Sequence, residues 1–135
     1  MQFRYRACIA TVNYHPRYTY EIHLIHHEEA IDENKRQPLL AESVQLAKQL
    51  HEKGQYLDAA PLQPTSATIG VKVRDGKRLV TDGPFAETRE QIGGYFLIDA
   101  KDLDEAIDIA GRIPGARIGT VEVRPEREVE GLPSV

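Results

Sequence analysis

Three short stretches carry side chains that could do chemistry. The first is HLIHHEE, residues 23–29, which packs three imidazoles and two carboxylates together. On an extended strand His23 and His27 share one face and His26 takes the other, so three-fold ligation would need the strand to end or bend. The spacing matches no zinc motif, and neither a metal nor another cofactor is expected. His26 stands where the strand runs into its loop, a common edge of a cleft. A histidine there could act as a general base near neutral pH.

The second candidate is Ser43, in PLLAESVQLAKQLHEKG. It is a polar group in the middle of an otherwise apolar helical arc. Serine alone is no general base, and no GxSxG turn marks it as a nucleophile. It either bonds back to its own helix or contacts a ligand. The third stretch is VTDGPFAETREQIGGYFLID, residues 80–99. Asp82 can fold its carboxylate onto nearby backbone N–H groups, and Gly83 tolerates positive φ. Pro84 restrains the backbone and could open a short helix through FAETREQ, with Glu87 in its first turn. The loop reads as a stiff acidic ledge tipped by Phe85, which either plugs the core or roofs a pocket. Asp82 could serve as acid, base or ligand anchor. The expected ligand-binding set is Asp82, Phe85, Glu87, Ser43 and His26, with Asp82 and His26 as the catalytic candidates.

The elements that must position these groups follow from periodicity. Leu39, Leu40, Ser43, Val44, Leu46, Ala47 and Leu50 share one arc at about 100° per residue, so a helix is predicted from Pro38 to a stop at Gly54. A second helix starts at DLDE, capped by Asp102 with Glu105 three residues on. Its buried face is predicted as Leu103, Ala106, Ile107, Ala110 and Ile113, and Pro114-Gly115 ends it. Strands are predicted at 20–26, 56–62, 68–74, 78–81, 94–99 and 118–124. RDGK is the turn between the third and fourth, and the fifth is central. Lys72, Arg74, Glu122 and Arg124 are expected on the face without helices, as interface ion pairs or as the lining of an anion pocket.

This order is α+β: a ferredoxin-like split βαβ sandwich with an added β-hairpin. Two helices cover one face of such a sheet. A second copy laid on the other face would complete a homodimer, a dimeric α/β barrel. Residues 1–19 read as an N-terminal extension that could form an edge strand, residues 20–125 as the domain, and residues 126–135 as a polar tail.

The totals bound the function. With 135 residues, 41% of them hydrophobic and 28% charged, the chain has room for one domain with a real core. The formal charge of −4 argues against nucleic acid. No apolar run approaches the ~20 residues of a membrane span, and the N-terminus lacks a secretory pattern. Cys8 is the single cysteine, which fits a reducing compartment, so a cytoplasmic location is expected.

Residues 73–125, VRDGKRLVTDGPFAETREQIGGYFLIDAKDLDEAIDIAGRIPGARIGTVEVRP, resemble the DGPF-domain group of the YCII-related family. YLDAAPLQPTSAT and EIHLIHHEEA extend the likeness to about residue 20. The resemblance implies a dimeric α/β barrel and a small bacterial protein, mostly uncharacterised, sometimes encoded beside extracytoplasmic-function sigma factors. In YCII-related members that resemble enzymes, a histidine on the inner face of the first helix works with a carboxylate. That position falls on Ser43 here, which removes the family's base. Three readings follow: a small-molecule binder or cryptic enzyme with a cleft at the dimer barrel, a regulatory partner protein anchored through Phe85, and a metal-dependent protein.

Overall fold

Alternation in RYTYEIHLIH builds the longest strand on the N-terminal side of the chain. The computed structural model describes residues 5–6, 17–83 and 90–133. In chain order the elements are β1 (Tyr5–Arg6), β2 (Arg17–His26), α1 (Glu33–Glu52), β3 (Tyr56–Pro61), β4 (Ile69–Arg74), β5 (Lys77–Asp82), β6 (Gln91–Ala100), α2 (Leu103–Gly111) and β7 (Thr120–Pro125). Single 3-10 turns lie at Glu28–Ala30, Thr65–Ala67 and Pro114–Arg117. The main sheet runs β7–β2–β6–β3 with every pair antiparallel, and β1 continues the β7 side of β2 through Tyr5↔Tyr18 and Arg6↔Arg17. This is the expected ferredoxin-like order, with the β4–β5 hairpin inserted ahead of β6.

The register separates the two faces. Tyr20 and Ile22 of β2 stand opposite Ile98 and Phe96 of β6, and all four point at the helices and are buried. Leu46 and Leu50 of α1, with Ala106, Ile109 and Ala110 of α2 and Ile113 beyond it, close this core. Each large apolar side chain buried here contributes about 1.5–3 kcal/mol. The opposite face is a polar lattice. Thr19 donates to Asp99 at 3.1 Å, His23 and Glu21 meet at 2.7 Å, and Tyr95 donates to Asp58 at 2.9 Å. Tyr95 and Leu97 point to this side, whereas Phe96 and Ile98 belong to the core. Glu122 and Arg124 stand on it beside His23 and Glu21.

Several predicted details shift. α1 begins at Glu33, not Pro38, because the Asp32 side chain accepts from Lys35 N–H at 2.9 Å and nucleates the helix earlier. Pro38 lies inside the helix, where it has no N–H to offer the Asn34 carbonyl. The far end stops as predicted: Gln55 N–H reaches Leu50 O at 2.8 Å and Gly54 N–H reaches His51 O at 3.0 Å, a Schellman closure. In α2 the buried stripe is Ala106, Ile109, Ala110 and Ile113, while Leu103 and Ile107 are about half exposed at 50% and 52%. The i, i+3, i+4, i+7 row that faces β6 passes through Ile109 rather than Ile107. Lys72 and Arg74 lie on the separate β4–β5 ribbon and not on the open face of the main sheet.

That ribbon turns at Asp75-Gly76, both with positive φ (51° and 72°), as a primed hairpin turn requires. Its apolar residues Ile69, Val71, Val73 and Val80 share one face and are 60%, 61%, 61% and 56% exposed. No described helix is long and apolar enough to cross a membrane.

Candidate functional site

A groove runs between α1 and the sheet because the two surfaces that meet there are small. On α1, Leu46 and Leu50 seal against the core, but Leu40, Ser43, Val44 and Ala47 face β3 and β6 across a gap. The strands answer with Ala59, Ala60, Gly93 and Gly94, which leave that gap unfilled. The wide part encloses about 780 Å³ and is mostly apolar, with Ile22, Tyr56 and Phe96 among its walls. Lys48, His51 and Glu52 stand at its outer rim, and the His51 ring meets Tyr56 edge-on at 6.2 Å. The narrow part holds about 430 Å³ and has a mixed lining, with His26, Glu28, Arg36, Thr65 and Gln91 among walls that also carry Leu39, Leu62 and Ile92. Leu24, Leu40, Ser43, Pro61 and Gly93 border both parts, so Ser43 sits at the waist where the two meet.

Two of the predicted site residues therefore share this groove. Ser43 donates to the Leu39 carbonyl at 2.9 Å, so its proton is spent within the helix while its lone pairs remain. His26 is 9% exposed and lies on the helix side of β2, with Nδ1 buried and lacking a partner among the described residues. The imidazole rests against Gly93, and a Cβ built there would overlap its ring. Any residue but glycine at 93 would displace His26.

Glu28 is anchored at the narrow end. Its carboxylate accepts from Thr65 N–H at 2.9 Å and from the Thr65 hydroxyl at 2.7 Å. The hydroxyl bond chiefly holds the carboxyl below its usual range. Burial opposes this, while the Thr65 backbone N–H and the nearby His26 and Arg36 add to it. Arg36 is half-buried in the same wall, and among the described residues its guanidinium makes no hydrogen bond or ion pair.

The remaining predictions fall elsewhere. Asp82 ends β5, is exposed, and lines neither part of the groove, because β5 pairs only with β4 in a ribbon apart from the main sheet. Phe85 and Glu87 lie outside the described residues. His23 points to the open face and pairs with Glu21, so strand alternation splits the histidine cluster. No group of three or more His, Cys, Asp or Glu side chains suited to a metal occurs among the described residues.

Sequence reasoning missed Arg36 because reading Pro38 as the helix start left NKRQ in a loop; the Asp32 cap three residues before Lys35 was the available signal. Thr65 carried no signal, since its partner Glu28 is remote in sequence and meets it through the fold alone.

The comparison with known families adds to this geometry. The model of the YCII-related domain matches residues 19–130. The chain belongs to the YCII-related family. The match starts within β2 and ends past β7, so it spans the whole ferredoxin-like unit. A curated relative, an uncharacterised protein of Rhizobium meliloti (strain 1021), is 45% identical over 76 residues, or 55% of this chain. The match spans 61% of that relative's length. In this YCII-related chain, Ser43 stands at the position where the likeness to enzyme-like members implies histidine. The buried imidazole of the groove, His26, comes from β2 instead.

Proposed function

We propose that this YCII-related chain is a small-molecule-binding protein of the DGPF group, acting in the cytoplasm as a homodimer, with its ligand in the groove under α1. The groove itself carries the reading: an apolar compartment of about 780 Å³ meets, at Ser43, a smaller one that gathers His26, Glu28 and Arg36. Ligand sites are commonly apolar clefts of about 300–1,000 Å³ with a few convergent polar groups. The groove lies on the helix side of the sheet within one protomer, which differs from a cleft bounded by Asp82. Binding is favoured over turnover because, among the described residues, no carboxylate hydrogen-bonds His26 Nδ1 to orient the ring as a base. The TDGPF segment at 81–85 supports the DGPF assignment.

A thermal-shift screen of the purified chain against a metabolite library tests this. Ser43→Leu, which plugs the waist and gives up only a bond inside its own helix, should abolish the shift of any compound that stabilises the wild type. A screen without hits, or hits indifferent to Ser43→Leu, would remove the reading.

A second reading, a regulatory protein that binds another protein, draws on the exposed apolar face of the β4–β5 ribbon. It predicts that substitutions at Val71 and Val80, and not in the groove, abolish function.

A further inference from the structure

The polar groups of the narrow end divide into engaged and unengaged sets, and the division points to a ligand class; this rests on the groove being the binding site. The carboxylates are engaged. Glu28 holds both Thr65 donors, and Glu33 accepts from Gln37 Nε2 at 2.6 Å. The Ser43 proton goes to Leu39. What stays unspent is chiefly donor capacity. Arg36 presents a guanidinium with five N–H groups, near enough to Glu28 to feel its charge but with no hydrogen bond or close ion pair among the described residues, and it is half-buried facing the cavity. His26, 9% exposed, keeps Nδ1 unpaired beside the same cavity. Buried polar atoms are rarely left this way, because water's hydrogen bonds are lost without replacement.

The polar groups of the wide end, Lys48, His51 and Glu52, are exposed at its outer rim, and its inner wall is Ile22, Ala47, Tyr56 and Phe96. The groove thus has one end for a head group and one for a body.

We propose that the groove takes an amphipathic monocarboxylate. The carboxylate sits in the Arg36 fork with His26 as a second polar contact, and an aliphatic or aromatic body lies along Ile22, Ala47 and Phe96. The planar guanidinium matches a carboxylate bidentately, which fixes direction as well as affinity. Glu28 and Glu33 stand in the same wall and oppose a second negative charge, so a monoanion is preferred to a dianion.

Calorimetric titration of the full chain with octanoate, octanol and octylamine tests this, because the three share a body and differ in head. Octanoate should bind at least about tenfold more tightly than either of the others. Arg36→Gln should weaken octanoate by about tenfold or more and leave octanol nearly unchanged, with Arg36→Lys in between. Ala47→Phe, which fills the wide end, should weaken every compound that binds, and circular dichroism of each variant verifies its fold. Octanoate and octanol binding equally, or octylamine binding best, overturns the carboxylate assignment while leaving the groove in place, provided Ala47→Phe still weakens them. If none of the three binds, or Ala47→Phe weakens none, the groove reading falls and the head-group assignment with it.

Discussion

Glu28 shows how a single side chain links the fold to the site. Its bonds to Thr65 bring the turn after β3 against the end of β2 and shape one wall of the narrow groove. Because the folded carboxyl titrates below the ordinary 4.5, its stabilising contribution is present above that value and is lost as pH falls through the lower folded one. Thr65→Ala removes the hydroxyl and keeps the backbone N–H. The Glu28 midpoint, followed by carboxyl NMR, should therefore rise toward the ordinary value. The stability gap between wild type and variant should be open at neutral pH and close in acid. An unmoved midpoint would mean that the hydroxyl is not the main cause. At this scale the sequence was partly legible. Ser43 and His26 stood out as polar groups at apolar or boundary positions, and both line the groove. Asp82 stood out for its turn chemistry, and that chemistry placed it on an exposed ribbon.

The elements were more legible than their ends. Alternation in β2, β4 and β7 and the arc of α1 follow from the two backbone periods, which depend only on local geometry. The start of α1 depended on competition between a proline and a cap. Asp32 prevailed, and the extra helical turn carries Glu33 and Arg36 into the groove wall. Asp32→Ala should therefore cost about 1 kcal/mol in urea unfolding. A variant as stable as the wild type would place the effective helix start at Pro38 after all. The same substitution should loosen Arg36, so octanoate affinity should fall along with stability. The buried row of α2 was misjudged at Leu103 and Ile107, which are half exposed, and Ile109 was missed, because Ile107 and Ile109 look alike in sequence and only contact with β6 and β7 chooses between them.

At the scale of the whole molecule, two surfaces stand open among the described residues. The open sheet face carries Glu21, His23, Glu122 and Arg124 around Tyr95 and Leu97, so it is more polar than a bare sheet core. The ribbon exposes Ile69, Val71, Val73 and Val80 on one side, and a lone two-stranded hairpin is marginal in water. We therefore expect a homodimer whose contacts include the ribbon. Sedimentation equilibrium at micromolar concentration should give twice the chain mass, and Val71→Lys with Val80→Lys should shift it toward the monomer. A wild-type monomer under those conditions would remove the dimer from the account.

Taken alone, the order of residues determined the architecture: which segments are strands and helices, their ferredoxin-like succession, the inserted hairpin and the family. Each of these rests on periods, caps and turns written in neighbouring positions. The tertiary structure alone decided where the groove lies. The groove exists because the small residues of β3 and β6 face the Leu40–Ala47 side of α1, and its polar end exists because Thr65, Glu28, His26 and Arg36 converge from separate elements. A void and a convergence are properties of packing, which no local pattern encodes.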